Sequence, residues 1–93
     1  MPITVHVPGY LRDFTGGRSS VALEATPATV GEALLALAAL HPGVRDRVMT
    51  EQGQVRPHVN VFVGRESILH TGGLRTPLGD GAELYILPTV SGA

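Results

Sequence analysis

Residues 80–88 read Asp80-Gly81-Ala82-Glu83-Leu84-Tyr85-Ile86-Leu87-Pro88, and this stretch decides the fold. The Asp-Gly pair predicts a tight turn, and Ala82 to Leu87 form an aliphatic run typical of a β-strand. Pro88 has no backbone N–H for a strand ladder, so we expect it to end the strand. The sequence therefore predicts a domain over residues 1–87 and a flexible tail over residues 88–93.

The beginning of the chain supplies a partner for this final strand. Ile3 to Val7 read I-T-V-H-V, which alternates apolar and polar residues as a half-buried strand does. After a connector and the Gly16-Gly17 turn, Ser19 to Leu23 predict a second, weaker strand. Together they predict an amino-terminal hairpin with a long connection.

A helix is predicted to follow this hairpin. Thr29-Val30-Gly31-Glu32 has the form of a capping box, in which Thr29 accepts from the Glu32 N–H and Glu32 reaches back. The apolar residues then recur at helical spacing, at Ala33, Leu34, Leu37, Ala38 and Leu40. His41-Pro42-Gly43 is expected to stop the helix after about three turns.

The remaining segments complete a sheet. Val44 to Arg56 predict a short helical turn and then a polar loop, and His58 to Val63 predict a strand. Glu66 to Leu69 are short and extended. The order β-β-α-β-(β)-β suits an α+β fold with one helix on one face of a mixed sheet of four to five strands. The first and last strands would be parallel neighbours, which is the β-grasp arrangement.

Composition excludes several classes of function. The 93 residues make one domain, and the net charge of −1 argues against binding nucleic acid. No apolar run is long enough to span a membrane, and Met1-Pro2-Ile3 enters a strand without a leader, so we expect a cytoplasmic protein that binds no membrane. The absence of cysteine excludes disulfides and thiolate chemistry.

Motifs along nearly the whole chain resemble those of a known family. The matching residues are Leu11-Arg12, Thr15-Gly16-Gly17, Val59-Asn60, Gly72-Gly73-Leu74, Asp80-Gly81, Ile86-Leu87-Pro88 and Val90. Each motif is weak alone, but together and in this order they resemble the ubiquitin-like sulfur carriers of the ThiS/MoaD type. Within that family the sequence resembles the cysteine-biosynthesis carriers of the CysO type.

The resemblance implies a carrier with no bound cofactor that is not itself an enzyme. A MoeB/ThiF-like activating enzyme would use ATP to adenylate the C-terminal carboxylate, and a sulfur donor would convert it to a thiocarboxylate. The implied partners are a PLP-dependent cysteine synthase and a JAMM-type zinc peptidase. The pathway could instead be a thiamin, molybdopterin or natural-product route. Two other functions stay open, a ubiquitin-like protein modifier and a β-grasp interaction module with an inert tail.

The tail departs from the family pattern at its end. The family ends in Gly-Gly, whereas this chain reads Pro88-Thr89-Val90-Ser91-Gly92-Ala93. Ala93 could be thiolated directly, a peptidase could remove it and expose Gly92, or activation could be lost. One methyl group is a small obstacle, so we favour the first two explanations. The expected carrier terminus is therefore Gly92 or Ala93.

Three apolar residues are expected beside this tail on the outer face of the sheet. Strand alternation places Phe62, Tyr85 and Leu87 there if Val61, Leu84 and Ile86 point into the core. They could be ordinary surface residues, since scattered exposed apolar groups are normal. Their clustering next to the tail suggests a docking patch for the activating enzyme.

The other candidate groups favour structural roles. His6, His41, His58 and His70 have no metal-ligand spacing, so no metal is expected and surface or helix-end positions are favoured. The paired glycines open no helix after a strand, as a phosphate loop would, and are expected to form turns.

Overall fold

A computed structural model of the protein describes residues 2–24 and 26–88. These residues form a mixed sheet of five strands in the order β2-β1-β5-β3-β4. The strands are β1 Ile3–His6, β2 Ser20–Leu23, β3 Val59–Val63, β4 Glu66–Ser67 and β5 Glu83–Pro88. The β1–β5 pair is parallel, as the sequence predicts, and the other neighbouring pairs are antiparallel.

Two α-helices connect the hairpin to the rest of the sheet. They are α1, Val30–Leu40, and α2, Pro42–Val48, and three short 3₁₀ helices cover Gly9–Phe14, Ile68–His70 and Gly73–Arg75. The extent of α1 confirms the prediction. His41 is the residue at which α1 ends, so the predicted stop is confirmed, and the helical turn predicted from Val44 begins two residues earlier, at Pro42. Proline suits the first turn of a helix, where its missing N–H would have had no partner.

The predicted capping box forms at the start of α1, with one difference. The Glu32 N–H donates to Thr29 Oγ1 at 3.3 Å. The Glu32 carboxylate reaches back to accept from the Ala28 N–H, also at 3.3 Å, rather than from Thr29. Two backbone donors at the helix entrance are thereby satisfied.

The core lies between the two helices and one face of the sheet. All the inward strand positions that alternation predicts are buried except Val63, which is half-buried. The strands contribute Ile3, Val5, Val21, Leu23, Val59, Val61, Leu84 and Ile86, and the helices contribute Val30, Ala33, Leu34, Leu37, Val44 and Val48. Among the described residues, no helix is long and apolar enough to cross a membrane.

A buried hydroxyl explains the Thr15-Gly16-Gly17 motif. Thr15 is fully buried, and its hydroxyl lies 2.9 Å from the Arg18 carbonyl oxygen and 3.2 Å from that of Arg12. Gly16 and Gly17 have φ of 67° and 83°, values that L side chains rarely adopt. The motif therefore folds the chain tightly around one threonine before β2 begins.

The final strand begins and ends one residue later than the sequence predicts. Pro88 is its last residue and lies opposite Val59. The Gly64 N–H donates to the Glu83 oxygen, so the hydrogen-bonded positions of the β3–β5 ladder fall at Glu83, Tyr85 and Leu87. Pro88 occupies a position that donates nothing to β3, which is why the ladder tolerates it.

Candidate functional site

The outer face of the sheet carries a row of side chains centred on Tyr85. In register, Tyr85 of β5 lies opposite His6 of β1 on one side and Phe62 of β3 on the other. Phe62 and Tyr85 are half-buried, and Leu87 is 43% exposed. The outward orientation predicted for these three apolar residues is therefore observed, while their role in docking stays a prediction.

His6 belongs to this row as well, opposite Tyr85 in the neighbouring strand. Its ring stacks on that of Tyr85, with centroids 4.3 Å apart and an interplanar angle of 7°. Its Nε2 lies 2.7 Å from Glu83 Oε1. The predicted surface position of His6 is confirmed, but its contacts with Tyr85 and Glu83 were not predicted. Alternation placed it on the outer face, but only the β1–β5 register puts it opposite Tyr85.

The contact between His6 and Glu83 orients the His6 ring against Tyr85 and adds little to the stability of the fold. The two side chains are 33% and 53% exposed. An ion pair at such exposure is worth at most about 1 kcal/mol, because water screens it. Its structural effect is to fix the orientation of the His6 ring. The Glu83 carboxylate contacts the edge of the ring, and the Tyr85 ring stacks on its face.

Beside this stack the surface forms a shallow open depression. Its lining comes from β5, β3 and the turn after β3, and consists of Phe62, Gly64, Arg65, Glu83, Tyr85 and Leu87. Apolar side chains and one cation and one carboxylate thus share a single surface. Such a mixture of aromatic groups and charges is typical of the centre and rim of a protein interface. We name the residues Phe62, Tyr85 and Leu87, with His6, the β5 patch.

The β5 patch lies directly before the tail in the chain. Leu87 is followed by Pro88, the last residue of β5 and the only predicted tail residue among those described. The predicted residues Thr89, Val90, Ser91, Gly92 and Ala93 lie outside the described residues. A partner that holds the patch would therefore meet the tail where it leaves the central strand of the sheet.

The structure brings together no metal site from the remaining candidates. In the part of the chain that is described, no group of three His, Asp or Glu side chains could hold a metal ion. His58 precedes β3, whereas His6 is in β1, and β5 separates these two strands. His41 ends α1, where its backbone N–H donates to the Leu37 oxygen at 2.8 Å.

Comparisons with known proteins place this architecture. The model of the ThiS family matches residues 5–92. The sulfur carrier protein CysO of Mycobacterium tuberculosis is 37% identical over 94 residues, an alignment that covers 99% of each chain. The crystal structure of M. tuberculosis CysO has a TM-score of 0.85 to this fold and covers 95% of this chain and 99% of that one.

Two further solved structures are similar over nearly the whole chain. A chain in the crystal structure of the Amycolatopsis orientalis BexX/CysO complex is 38% identical, with a TM-score of 0.86, and the match covers 98% of this chain and 99% of that one. The crystal structure of SAMP1 from Haloferax volcanii is 30% identical, with a TM-score of 0.82 and full coverage of both chains. These likenesses confirm the ubiquitin-like β-grasp fold, and with the family match over residues 5–92 they show that the chain belongs to the ThiS family.

Proposed function

We propose that this protein is a sulfur carrier that works through its C-terminal carboxyl group and serves cysteine biosynthesis. The observation that carries the proposal is the full-length similarity to a sulfur carrier protein, 37% identical over 99% of both chains. The match to the family model also extends through the tail as far as residue 92. The chain has no cysteine, so a carried sulfur atom needs another attachment point.

A terminal carboxylate supplies that point once it is activated. Its pKa of about 3.5 makes it an anion at neutral pH and a poor electrophile. One carboxylate oxygen attacks the α-phosphorus of ATP, and pyrophosphate leaves. A sulfide equivalent then attacks the acyl carbon, and AMP leaves with that oxygen. The product is a terminal thiocarboxylate, and both steps take place in the activating enzyme, which is of the MoeB/ThiF type.

The end of the tail determines which residue carries the sulfur. We propose that Gly92 is the carrier residue, with Ala93 removed first by a JAMM-type zinc peptidase or accepted in its place. Glycine suits the task because it has no Cβ and fits a narrow channel. Pro88 belongs to β5, and the five residues from Thr89 to Ala93 could reach about 17 Å if extended, enough to enter a partner's active site.

The β5 patch is the proposed docking surface for the activating enzyme. Its stacked rings are held in place by the β1–β5 register and by Glu83, so little side-chain freedom would be lost on binding. The same strand leads into the tail, so docking at the patch would direct the tail toward the partner. The crystal structure of the A. orientalis BexX/CysO complex supports the idea that chains of this type bind other proteins.

Cysteine synthesis is the proposed destination of the sulfur. A PLP-dependent cysteine synthase that acts on an activated serine would accept the thiocarboxylate as its nucleophile. The support is the similarity to CysO over the full chain. A second candidate function is that of a ubiquitin-like modifier, which would form an amide bond between the tail and a lysine. It is supported by the similarity to SAMP1, a small archaeal modifier protein.

Reconstitution of the activation step tests the carrier function. The protein is incubated with a MoeB/ThiF-like enzyme, ATP and a sulfide donor, and its intact mass is recorded. We expect the gain that corresponds to one oxygen replaced by sulfur, on the full chain or on the chain lacking Ala93. The Ala93→Gly variant is the matched control, because it restores the Gly-Gly end. The proposal would be refuted if the Ala93→Gly variant is thiolated while neither the native chain nor the chain lacking Ala93 is.

A further inference from the structure

One edge of the sheet and the adjacent side of α1 form an apolar surface that is separate from the groove of Phe62, Tyr85 and Leu87. After Glu32, every residue of α1 is alanine or leucine, from Ala33 to Leu40. Leu35 and Leu40 are nevertheless 55% and 58% exposed. A helix that is apolar on all sides is normally covered on all sides. The exposed side of α1 therefore lacks the polar residues that water would favour.

The open groove beside this helix runs along the edge strand β2. It is lined by Ala22, Leu23, Glu24, Ala36, Ala39 and Leu40. The small alanines leave the helix backbone accessible to close approach. We name the residues that line this groove, together with Leu35, the β2–α1 surface.

The backbone of β2 offers unused hydrogen-bonding groups to this side. The Val7 N–H donates to the Ser19 oxygen at 2.8 Å. With the β1–β2 register, this bond shows which residues of β2 direct their backbone groups toward β1. Odd-numbered residues of β2 therefore bond to β1, and Ser20 and Ala22 direct their N–H and C=O groups outward. Edge strands usually carry a proline, a bulge or a charged residue that blocks pairing, and Ser20–Leu23 has none of these.

Two copies of β2 placed side by side in antiparallel orientation would bring residues of opposite charge together. When two copies pair about Val21, Ser20 faces Ala22 of the second copy and Arg18 faces its Glu24. Ser20 and Ala22 have the outward parity that a hydrogen-bonded antiparallel pair requires. Arg18 uses its backbone N–H and C=O on Thr15, so Arg18 and Glu24 would meet through their side chains alone. Arg18 and Glu24 are both exposed, and no ion pair of either side chain is found among residues 2–24 and 26–88.

We infer that a second copy of this chain covers the β2–α1 surface, forming a two-fold dimer by β2–β2 pairing. The two-fold axis then runs perpendicular to the sheet through Val21, and both α1 helices lie on the same side. Paired strands are about 4.8 Å apart, and packed helices about 8–10 Å apart. Because α1 lies beside β2, the apolar sides of the two helices meet across the axis. The interface is isologous, as in most dimers.

In such a dimer, strand β5 and its end at Pro88 stay accessible on both subunits. In the strand order, β1 separates β2 from β5, so Phe62, Tyr85, Leu87 and Pro88 lie outside the interface. His6, the β1 member of the β5 patch, lies opposite Ser20 and borders the interface. The inference is therefore independent of the proposed function, and either could fail without the other.

Charge reversal tests the proposed interface. Sedimentation velocity of the full chain from about 10 μM to about 1 mM should show a monomer–dimer equilibrium, in the range of weak assemblies. Arg18→Glu and Glu24→Arg should each weaken dimerisation about tenfold or more. The contact between positions 18 and 24 occurs twice in a two-fold dimer, and each variant puts two like charges at both contacts. The double variant should restore dimerisation. Arg65→Glu, at the opposite edge of the sheet, should change nothing.

A cysteine variant tests the register itself. The chain has no cysteine, so Val21→Cys introduces a single thiol at the two-fold axis. Directly opposed residues in a non-hydrogen-bonded pair lie about 4.5 Å apart, within the range that a disulfide spans. We expect a disulfide-linked dimer on mild oxidation and none for Ser67→Cys in β4.

Three results would overturn the inference. The first is a native chain that stays monomeric throughout the concentration range. The second is a dimer that the variant carrying both Arg18→Glu and Glu24→Arg does not restore. The third is a Val21→Cys variant that dimerises without cross-linking. Both Arg18 and Glu24 are exposed, so loss of folding is not expected to obscure the charge-reversal result.

Discussion

The imidazole ring of His6 lies parallel to the phenol ring of Tyr85, with the ring centroids 4.3 Å apart. The two residues are far apart in the chain, and the parallel pairing of β1 with β5 places them opposite each other. Glu83, two residues before Tyr85, holds the His6 ring from its edge. A surface tyrosine thereby acquires a fixed orientation beside the strand that leads to the tail.

Truncation within the β5 patch should weaken docking of the activating enzyme. Tyr85→Ala and Phe62→Ala should each raise the Kd about tenfold or more, because buried aromatic groups dominate interface energies. Isothermal titration calorimetry measures this directly. Leu69→Ala is the matched control, since Leu69 is 78% exposed and lies outside the patch. Unchanged affinity for both patch variants would place the docking surface elsewhere.

His6 should contribute by orienting Tyr85. His6→Ala should raise the same Kd about threefold, while changing the free energy of unfolding by less than about 1 kcal/mol. His6→Phe keeps a ring over Tyr85 but loses the contact with Glu83, and should bind nearly as the native chain does. If His6→Phe is as impaired as His6→Ala, the stacking explanation is wrong.

The buried hydroxyl of Thr15 should matter for stability. Thr15→Val keeps the shape of the side chain but leaves the Arg18 carbonyl oxygen without the hydroxyl that donates to it, whereas the Arg12 oxygen still accepts from the Gly17 N–H at 2.7 Å. We expect unfolding free energy to fall by about 1–2 kcal/mol, the cost of unsatisfied buried polar groups. Urea denaturation followed by circular dichroism measures it. Thr4→Val, on the half-buried outer face of β1, should cost far less.

The capping oxygen of Thr29 should stabilise the entrance to α1. Thr29→Ala removes the acceptor of the Glu32 N–H and should lower the free energy of unfolding by about 1 kcal/mol. Thr29→Asp retains an oxygen at the same position and should recover most of the loss. Equal destabilisation by both substitutions would show that the hydrogen bond contributes nothing measurable.

Local signals account for the parts of the fold that the sequence predicts well. The limits of α1 follow from the cap at Thr29 and from the helical spacing of its leucines, and the inward faces of the strands follow from alternation. The helix α2 begins at Pro42, two residues before the helical turn predicted from Val44, because proline both interrupts one helix and suits the first turn of the next.

Long-range geometry accounts for most of what the sequence does not predict. The stacking of His6 on Tyr85 depends on a register between strands at opposite ends of the chain, and alternation fixes only the face. The end of β5 at Pro88 depends on which positions of the ladder donate to β3. The outward placement of Phe62, Tyr85 and Leu87 was predictable, because it needs only parity within each strand.

The central claim is that sulfur is carried on the terminal acyl group of the tail. Its most direct test is top-down mass spectrometry of the protein purified from cells that contain its activating enzyme. We expect a sulfur-for-oxygen mass shift confined to fragments that contain the terminal residue, Gly92 or Ala93. An unmodified terminus in every fragment, or the shift on any other part of the chain, would contradict it.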